Sequence, residues 1–170
     1  MKRPETSEYA EFYAGYVSLV EETDIVSALQ TQLTEIEILF AEMPLEKAGY
    51  RYAPDKWSIK QLLGHMIDGE RVFAYRALRF ARNDQTPLPG FDQDTFMENS
   101  NFDERTIADL LEEFLYLRQA NVIFFKTLDE KAWSNIGTAS NAPVSVRAIA
   151  YVMVGHVRHH VNILRQHYLT

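Results

Sequence analysis

Cysteine is absent from the 170 residues of this chain. That excludes a disulfide framework, a cysteine-ligated zinc and a nucleophilic thiol of the chain's own. It leans the reading toward the cytoplasm. Long apolar runs are absent too, so no segment reaches the roughly 18 residues a membrane span needs. The opening Met1-Lys2-Arg3-Pro4-Glu5 lacks the apolar core of a signal peptide. Positive charge is scarce: 17 Lys and Arg stand against 24 Asp and Glu, a net charge of −7. With no basic run to offset that field, a polyanion partner would be repelled overall, which argues against nucleic acid. Neither a glycine-rich phosphate loop nor a serine-triad signature occurs. Internal repeats and low-complexity stretches are also missing.

Apolar residues make up 46% of the chain and charged residues 24%, the balance of a globular domain. The length suits one domain over residues 1–170. Residues 1–22 read as an irregular N-terminal arm. Its Tyr9, Phe12, Tyr13 and Tyr16 are residues a disordered tail avoids, so the arm should pack across the domain, with pocket lining as the alternative.

Four segments carry the helical period. The first begins near Thr23-Asp24, both good N-cap residues, and buries Ile25, Val26, Leu29, Leu33, Ile36 and Phe40. The second opens with the capping box Ser58-Ile59-Lys60-Gln61 and runs to about Arg82. Its inner face holds Leu62, His65, Gly69, Val72 and Phe73. A long connection over 83–104 follows, with a short helical turn expected around Asp94–Asn99. The third helix starts near Thr106, with Asp109 placed to reach back to the cap, and carries Ile107, Leu110, Leu111, Phe114, Leu117, Phe125 and Leu128. Arg118 and Asn121 fall inside that stripe. Either they hold a ligand or carboxylate, or they tie loops to the bundle. Residues 129–144 read as a loop, and the fourth helix starts near Ser145. With no convincing strand run, the fold class is all-α, a four-helix bundle.

Histidine is the informative residue. Four of the five lie in the last fifteen positions, and His65 stands alone upstream. Residues four apart on a helix share a face. His156 and His160 therefore point the same way as Ile149, Val152, Met153 and Ile163, with Arg147, Arg158 and Arg165 opposite. His159 sits on the edge of this stripe, and His167 returns to it. Two inward imidazoles one turn apart are half of a metal site, or else a hydrogen-bonded pair of core histidines. Three helix-interior glycines, Gly64, Gly69 and Gly155, lie beside His65 and His156. Each costs about 1 kcal/mol relative to alanine, so close approach of the second and fourth helices, or space for a bound group, should offset them.

The segment Trp57-Ser58-Ile59-Lys60-Gln61-Leu62-Leu63-Gly64-His65-Met66-Ile67-Asp68 resembles the second-helix motif of the DinB-like superfamily. Gly155-His156-Val157-Arg158-His159-His160-Val161-Asn162-Ile163-Leu164 resembles its fourth-helix motif. Phe73-Ala74-Tyr75-Arg76-Ala77 and Pro87-Leu88-Pro89-Gly90-Phe91-Asp92 are similar to a branch that includes YfiT-like proteins. The resemblance implies a down-up-up-down bundle with a long crossover between helices 2 and 3. It implies a divalent metal held by His65, His156 and His160, and it implies homodimerisation.

Three imidazoles leave a coordination position open. Zinc and nickel suit such ligands best, with iron and manganese as alternatives. The open position can polarise a carbonyl, activate water or hold a thiolate. Some DinB-like proteins are thiol S-transferases using bacillithiol or mycothiol, and others are metal-dependent hydrolases. In this cysteine-free chain a low-molecular-weight thiol must arrive as cosubstrate. The expected function is thiol-dependent transfer to a small-molecule electrophile. The alternatives are hydrolysis of a small amide or ester, and a non-enzymatic, stress-related metal-binding role. Asp68 would orient a ligand histidine or act as base toward metal-bound water. Arg76 would bind an anionic cosubstrate, as Arg118 and Asn121 would if they face a ligand, or it would form a surface salt bridge.

Overall fold

The computed structural model describes residues 2–169. Seven α-helices are found among them: α1 (Ala14–Ser18), α2 (Ile25–Ala41), α3 (Ile59–Ala81), α4 (Gln93–Glu98), α5 (Ile107–Lys126), α6 (Glu130–Ser134) and α7 (Val146–Ile163). The long helices α2, α3, α5 and α7 form the bundle.

Each long helix starts where a side chain satisfies an orphan N–H. Asp24, Ser58, Thr106 and Ser145 accept from Ser27, Gln61, Asp109 and Ala148 respectively. At Ser58 the capping box is complete, with the Gln61 amide oxygen accepting from the Ser58 backbone at 3.0 Å. At Thr106 it is not. The Asp109 carboxylate turns instead to the Arg105 Nε at 2.5 Å, a charge-assisted bond that outcompetes a backbone amide.

Contacts at the helix ends fix the directions. The Lys60 ammonium donates to the Asp103 carbonyl, joining the start of α3 to the start of α5, and Arg82 stacks on Phe124 where both helices end. Thus α3 and α5 run parallel, which requires the long connection between them. Tyr168, beyond the end of α7, donates to the Trp57 carbonyl just before α3, so α3 and α7 are antiparallel. Lys126 at the end of α5 meets Gln30 near the start of α2. Tyr151 early in α7 meets the Glu22 carbonyl ahead of α2. The order is down-up-up-down.

The core is split into two apolar clusters. One gathers Phe80, Phe125 and Tyr151, and the other Leu63, Phe114 and Leu164. Between them lies a buried polar layer. Arg118 on α5 makes a bidentate pair with Glu70 on α3 at 2.7 and 2.9 Å and donates to Gln32 on α2 at 2.6 Å. Gln32 in turn donates to the Val154 carbonyl on α7 at 2.9 Å. This layer explains why α2 is rotated from its sequence reading. Gln32 occupies the buried position, and Val26 and Leu33 are only half-buried.

Three expectations are corrected. Residues 129–144 are not all loop. Asp129 caps α6, and strands β1 (Ile136–Ala139) and β2 (Ala142–Ser145) pair antiparallel. Ser140 and Asn141 form the turn, both with positive φ, as a tight two-residue hairpin requires. Four-residue strands are too short for alternation to show in the sequence, and Leu88 of the crossover adds a single bridge to Ala139. Residues 1–22 are not wholly irregular, since 3₁₀ turns at Thr6–Glu8 and Glu11–Tyr13 lead into α1. His167 does not rejoin the inner stripe. A π-helical turn over Leu164–Tyr168 shifts the register, burying Tyr168 and leaving His167 exposed, stacked on Tyr52.

Candidate metal centre

His65 lies seven residues into α3, and His156 and His160 lie in the C-terminal half of α7. Because the two helices are antiparallel, these depths coincide. The His65 and His156 Nε2 atoms are 2.9 Å apart, and those of His156 and His160 are 3.1 Å apart. All three side chains are buried. Their ligand atoms lie within 4.8 Å of one another, and no carboxylate joins the group among the described residues.

Neighbouring rings hold the imidazoles. Trp57 packs on His65 at 4.8 Å between centroids, and Phe73 and Tyr16 meet His156 edge-on at 5.6 and 5.4 Å. Gly69 is required beneath His156, because a Cβ there would stand 2.9 Å from the imidazole Cε1. The other two glycines serve different neighbours. At Gly64 a Cβ would overlap the Phe102 ring of the crossover. At Gly155 it would lie 2.0 Å from the Tyr16 carbonyl of the arm. Only Gly69 serves the contact between the second and fourth long helices that the sequence suggested.

Burial keeps these imidazoles neutral. The His65 pKa falls to about 4, chiefly by desolvation and secondarily through His159. His156 and His160 are pushed well below the ordinary histidine value, again chiefly by desolvation. Neutral imidazole is the form that ligates a metal. Two nitrogens bound to one tetrahedral zinc at 2.0–2.1 Å would lie about 3.3 Å apart, close to the spacings here. The donor set therefore fits a divalent metal ion. One feature departs from common ligand histidines: the buried His160 Nδ1 has no hydrogen-bond partner among the described residues. The His159 ring packs edge-on against that of His160, at 5.0 Å between centroids.

His160 also lines a cavity of about 390 Å³, whose wall includes Tyr16, Tyr52, Trp57, Asp94 and His159. His159 is half-buried, and desolvation lowers its pKa. The sequence favours packing for the arm tyrosines, with pocket lining as the alternative for Tyr16, and gives no pocket role to Tyr52, Trp57 or Asp94. Loop residues have no periodicity to place them, although the Trp57 position just ahead of the Ser58 cap, two turns below His65, was a usable signal.

The remaining candidates lie elsewhere. Asp68 lines a separate cavity with Phe96 and residues 99–102, and burial raises its pKa. Arg118 is fully buried and engaged with Glu70, Gln32 and the Met153 carbonyl, and Asn121 donates to Glu70 at 2.9 Å. Arg76 is no surface residue. It is buried beside Tyr13, Pro89 and Ser140.

An antiparallel-and-parallel four-helix bundle with a buried three-histidine group between its second and fourth long helices defines the structural class. The sequence model of the DinB superfamily matches residues 28–164, and the chain belongs to that superfamily. Among solved structures it is similar to YfiT from Bacillus subtilis, described as a probable metal-dependent hydrolase with an unusual four-helix bundle topology. That likeness has a TM-score of 0.66 at 16% identity and covers 97% of this chain and 93% of that one. It is also similar to a mycothiol-dependent maleylpyruvate isomerase, with a TM-score of 0.68 at 9% identity, over 85% of this chain and 61% of that one. At such identities the likeness concerns the fold alone. A search of curated proteins returns no match.

Proposed function

We propose that this chain is a one-domain, metal-dependent enzyme that joins a low-molecular-weight thiol to a small electrophile. In this reading His65, His156 and His160 hold a divalent ion, with zinc or nickel preferred over iron or manganese because imidazole suits them. The convergence of three neutral Nε2 nitrogens carries the reading. When bound, the ion supplies Lewis acidity and an open position for an anionic ligand.

Charge balance favours such an anion. No carboxylate joins the imidazoles, and Glu70, the acid of the neighbouring polar layer, is spent on Arg118. A buried dication among neutral imidazoles is best compensated by an anionic partner from solution, and a thiolate meets that need. Tyr16, Tyr52 and Trp57 would hold the apolar body of the electrophile and exclude water. His159, neutral on the cavity wall, would accept the thiol proton at a ring nitrogen.

A second reading is hydrolysis of a small amide or ester, favoured by likeness to YfiT over nearly the full length of both chains. A thiol-conjugation assay with a chlorinated nitroaromatic electrophile separates the two. Conjugation that needs both added thiol and bound metal supports transfer. Turnover of ester or amide libraries without thiol, and none with the electrophile, replaces it with hydrolysis. Stoichiometric metal binding with no turnover in either assay overturns both.

A further inference from the structure

Arg76 is a buried cation without an acid. It is 2% exposed, and no carboxylate among the described residues forms an ion pair with it. Its Nη1 donates to the Tyr13 hydroxyl at 3.1 Å, and its Nη2 donates to the Pro89 carbonyl at 2.9 Å and the Ser140 hydroxyl at 3.1 Å. The Phe91 ring centre stands 5.8 Å from its Cζ. All of these partners are neutral. Arg118, buried to the same degree, shows the contrast, since its charge is matched by the bidentate Glu70. A guanidinium removed from water without a counter-charge is unfavourable, and an anion that reached it would be bound strongly.

Beside Arg76 lies a cavity of about 320 Å³, walled by Val72, Tyr75, Leu88, Phe91 and Phe96. Arg71 also borders it, but Glu113 neutralises that residue at 2.5 Å. Arg76 is thus the uncompensated charge of an otherwise apolar pocket. The cavity shares no lining residue with the one at His160. Phe73 stands between them, its ring 5.6 Å from His156 and 6.1 Å from Tyr13, whose hydroxyl holds Arg76.

We infer that this cavity binds a small amphipathic carboxylate, its apolar body among Val72, Leu88, Phe91 and Phe96 and its carboxylate on Arg76. Guanidinium and carboxylate match as a planar, charge-assisted pair. The volume is near the lower end of the roughly 300–1,000 Å³ of small-molecule sites, so the ligand is one ring or a short branched chain. The inference does not depend on the metal reading.

The test compares 4-phenylbutyrate with its uncharged amide, 4-phenylbutyramide, by calorimetry and by backbone amide shifts, in protein as purified and after chelation. The expected result is saturable binding of the carboxylate, at least tenfold tighter than the amide, in both preparations. Its shifts centre on Val72, Leu88 and Phe91. V72W, which fills the cavity from a half-exposed helix position, lowers affinity at least tenfold. R76M abolishes the preference for the acid over the amide. If R76M does not fold, V72W and the amide comparison still decide the matter. No binding to wild type, equal binding of acid and amide, full affinity in V72W, or shifts confined to His159 and His160 would each overturn the inference.

Discussion

His65 and His156 are separated by 91 residues of chain, yet their Nε2 atoms are 2.9 Å apart. Two features bring them together: the antiparallel pairing of α3 with α7, and the missing side chain of Gly69 under the His156 ring. Two neutral imidazoles at this distance can share one proton, with one ring as donor. His160, 3.1 Å from the same His156 nitrogen, competes for it. A cation at the meeting point would satisfy all three nitrogens at once, which a single proton cannot.

That competition gives the first prediction. His65→Ala and His156→Ala each remove one of three donors, so divalent metal affinity should drop at least tenfold, about 1.4 kcal/mol. His159→Ala should keep its metal. Elemental analysis beside circular dichroism checks this. Equal metal content in wild type and both ligand variants, all folded, would sink the site.

Acid should destabilise the protein in a defined window. His65 has its pKa depressed to about 4 in the folded chain, against an ordinary value near 6.5. His156 and His160 shift in the same direction. Between those limits the unfolded chain binds more protons than the folded one, so stability rises with pH. It is complete above about pH 6.5 and is lost progressively toward pH 4, at up to about 1.4 kcal/mol per pH unit for each histidine. Bound metal should leave in the same direction. Thermal unfolding of metal-free protein at pH 7.5, 6 and 5 reads the slope. A flat profile that is also unchanged in His65→Ala would refute it.

Gly155→Ala isolates the docking of the arm. A methyl group there would stand 2.0 Å from the Tyr16 carbonyl oxygen, backbone against backbone, with no flexible side chain to give way. The alanine gains about 1 kcal/mol of helix propensity, but overpacking costs about 1–3 kcal/mol or more. Net destabilisation and protease cleavage within residues 2–22 are expected. Wild-type stability with an uncut arm would show that the arm does not need this contact.

How much of this was legible beforehand follows the physics of each feature. Helix starts at Asp24, Ser58 and Ser145 were readable because caps are local, with side chain and satisfied N–H three residues apart. The inward facing of His65, His156 and His160 was readable because helical period is local too. Their meeting was not, since it depends on helix direction and depth, and only the family resemblance supplied it. Gln32 was unreadable as a core residue, because its partners, Arg118 and the Val154 carbonyl, lie on other helices. The hairpin escaped notice because four-residue strands carry little pattern. For Arg76 the sequence leaves anion binding and a surface salt bridge both open, because nothing local reveals that Tyr13, Pro89 and Ser140 close over it.

The polar layer supplies the last prediction. Arg118 is wholly buried, and Glu70 carries the only charge opposite it among the described residues. Glu70→Ala would leave that guanidinium uncompensated in the interior, at a cost of about 3–5 kcal/mol. Removing both charges is different, because an apolar pair of similar volume avoids the desolvation penalty as well as losing the attraction. Glu70→Met with Arg118→Met should therefore be more stable than Glu70→Ala, although Gln32 loses the Arg118 donor and Asn121 loses the Glu70 acceptor. Urea unfolding of the wild type, Glu70→Met, Arg118→Met and the double variant closes a mutant cycle. A coupling energy well above 1 kcal/mol is expected from contacts of this kind. Additive single effects would mean that Glu70 and Arg118 are not coupled, and that this pair does not set the level at which α7 presents His156 to α3.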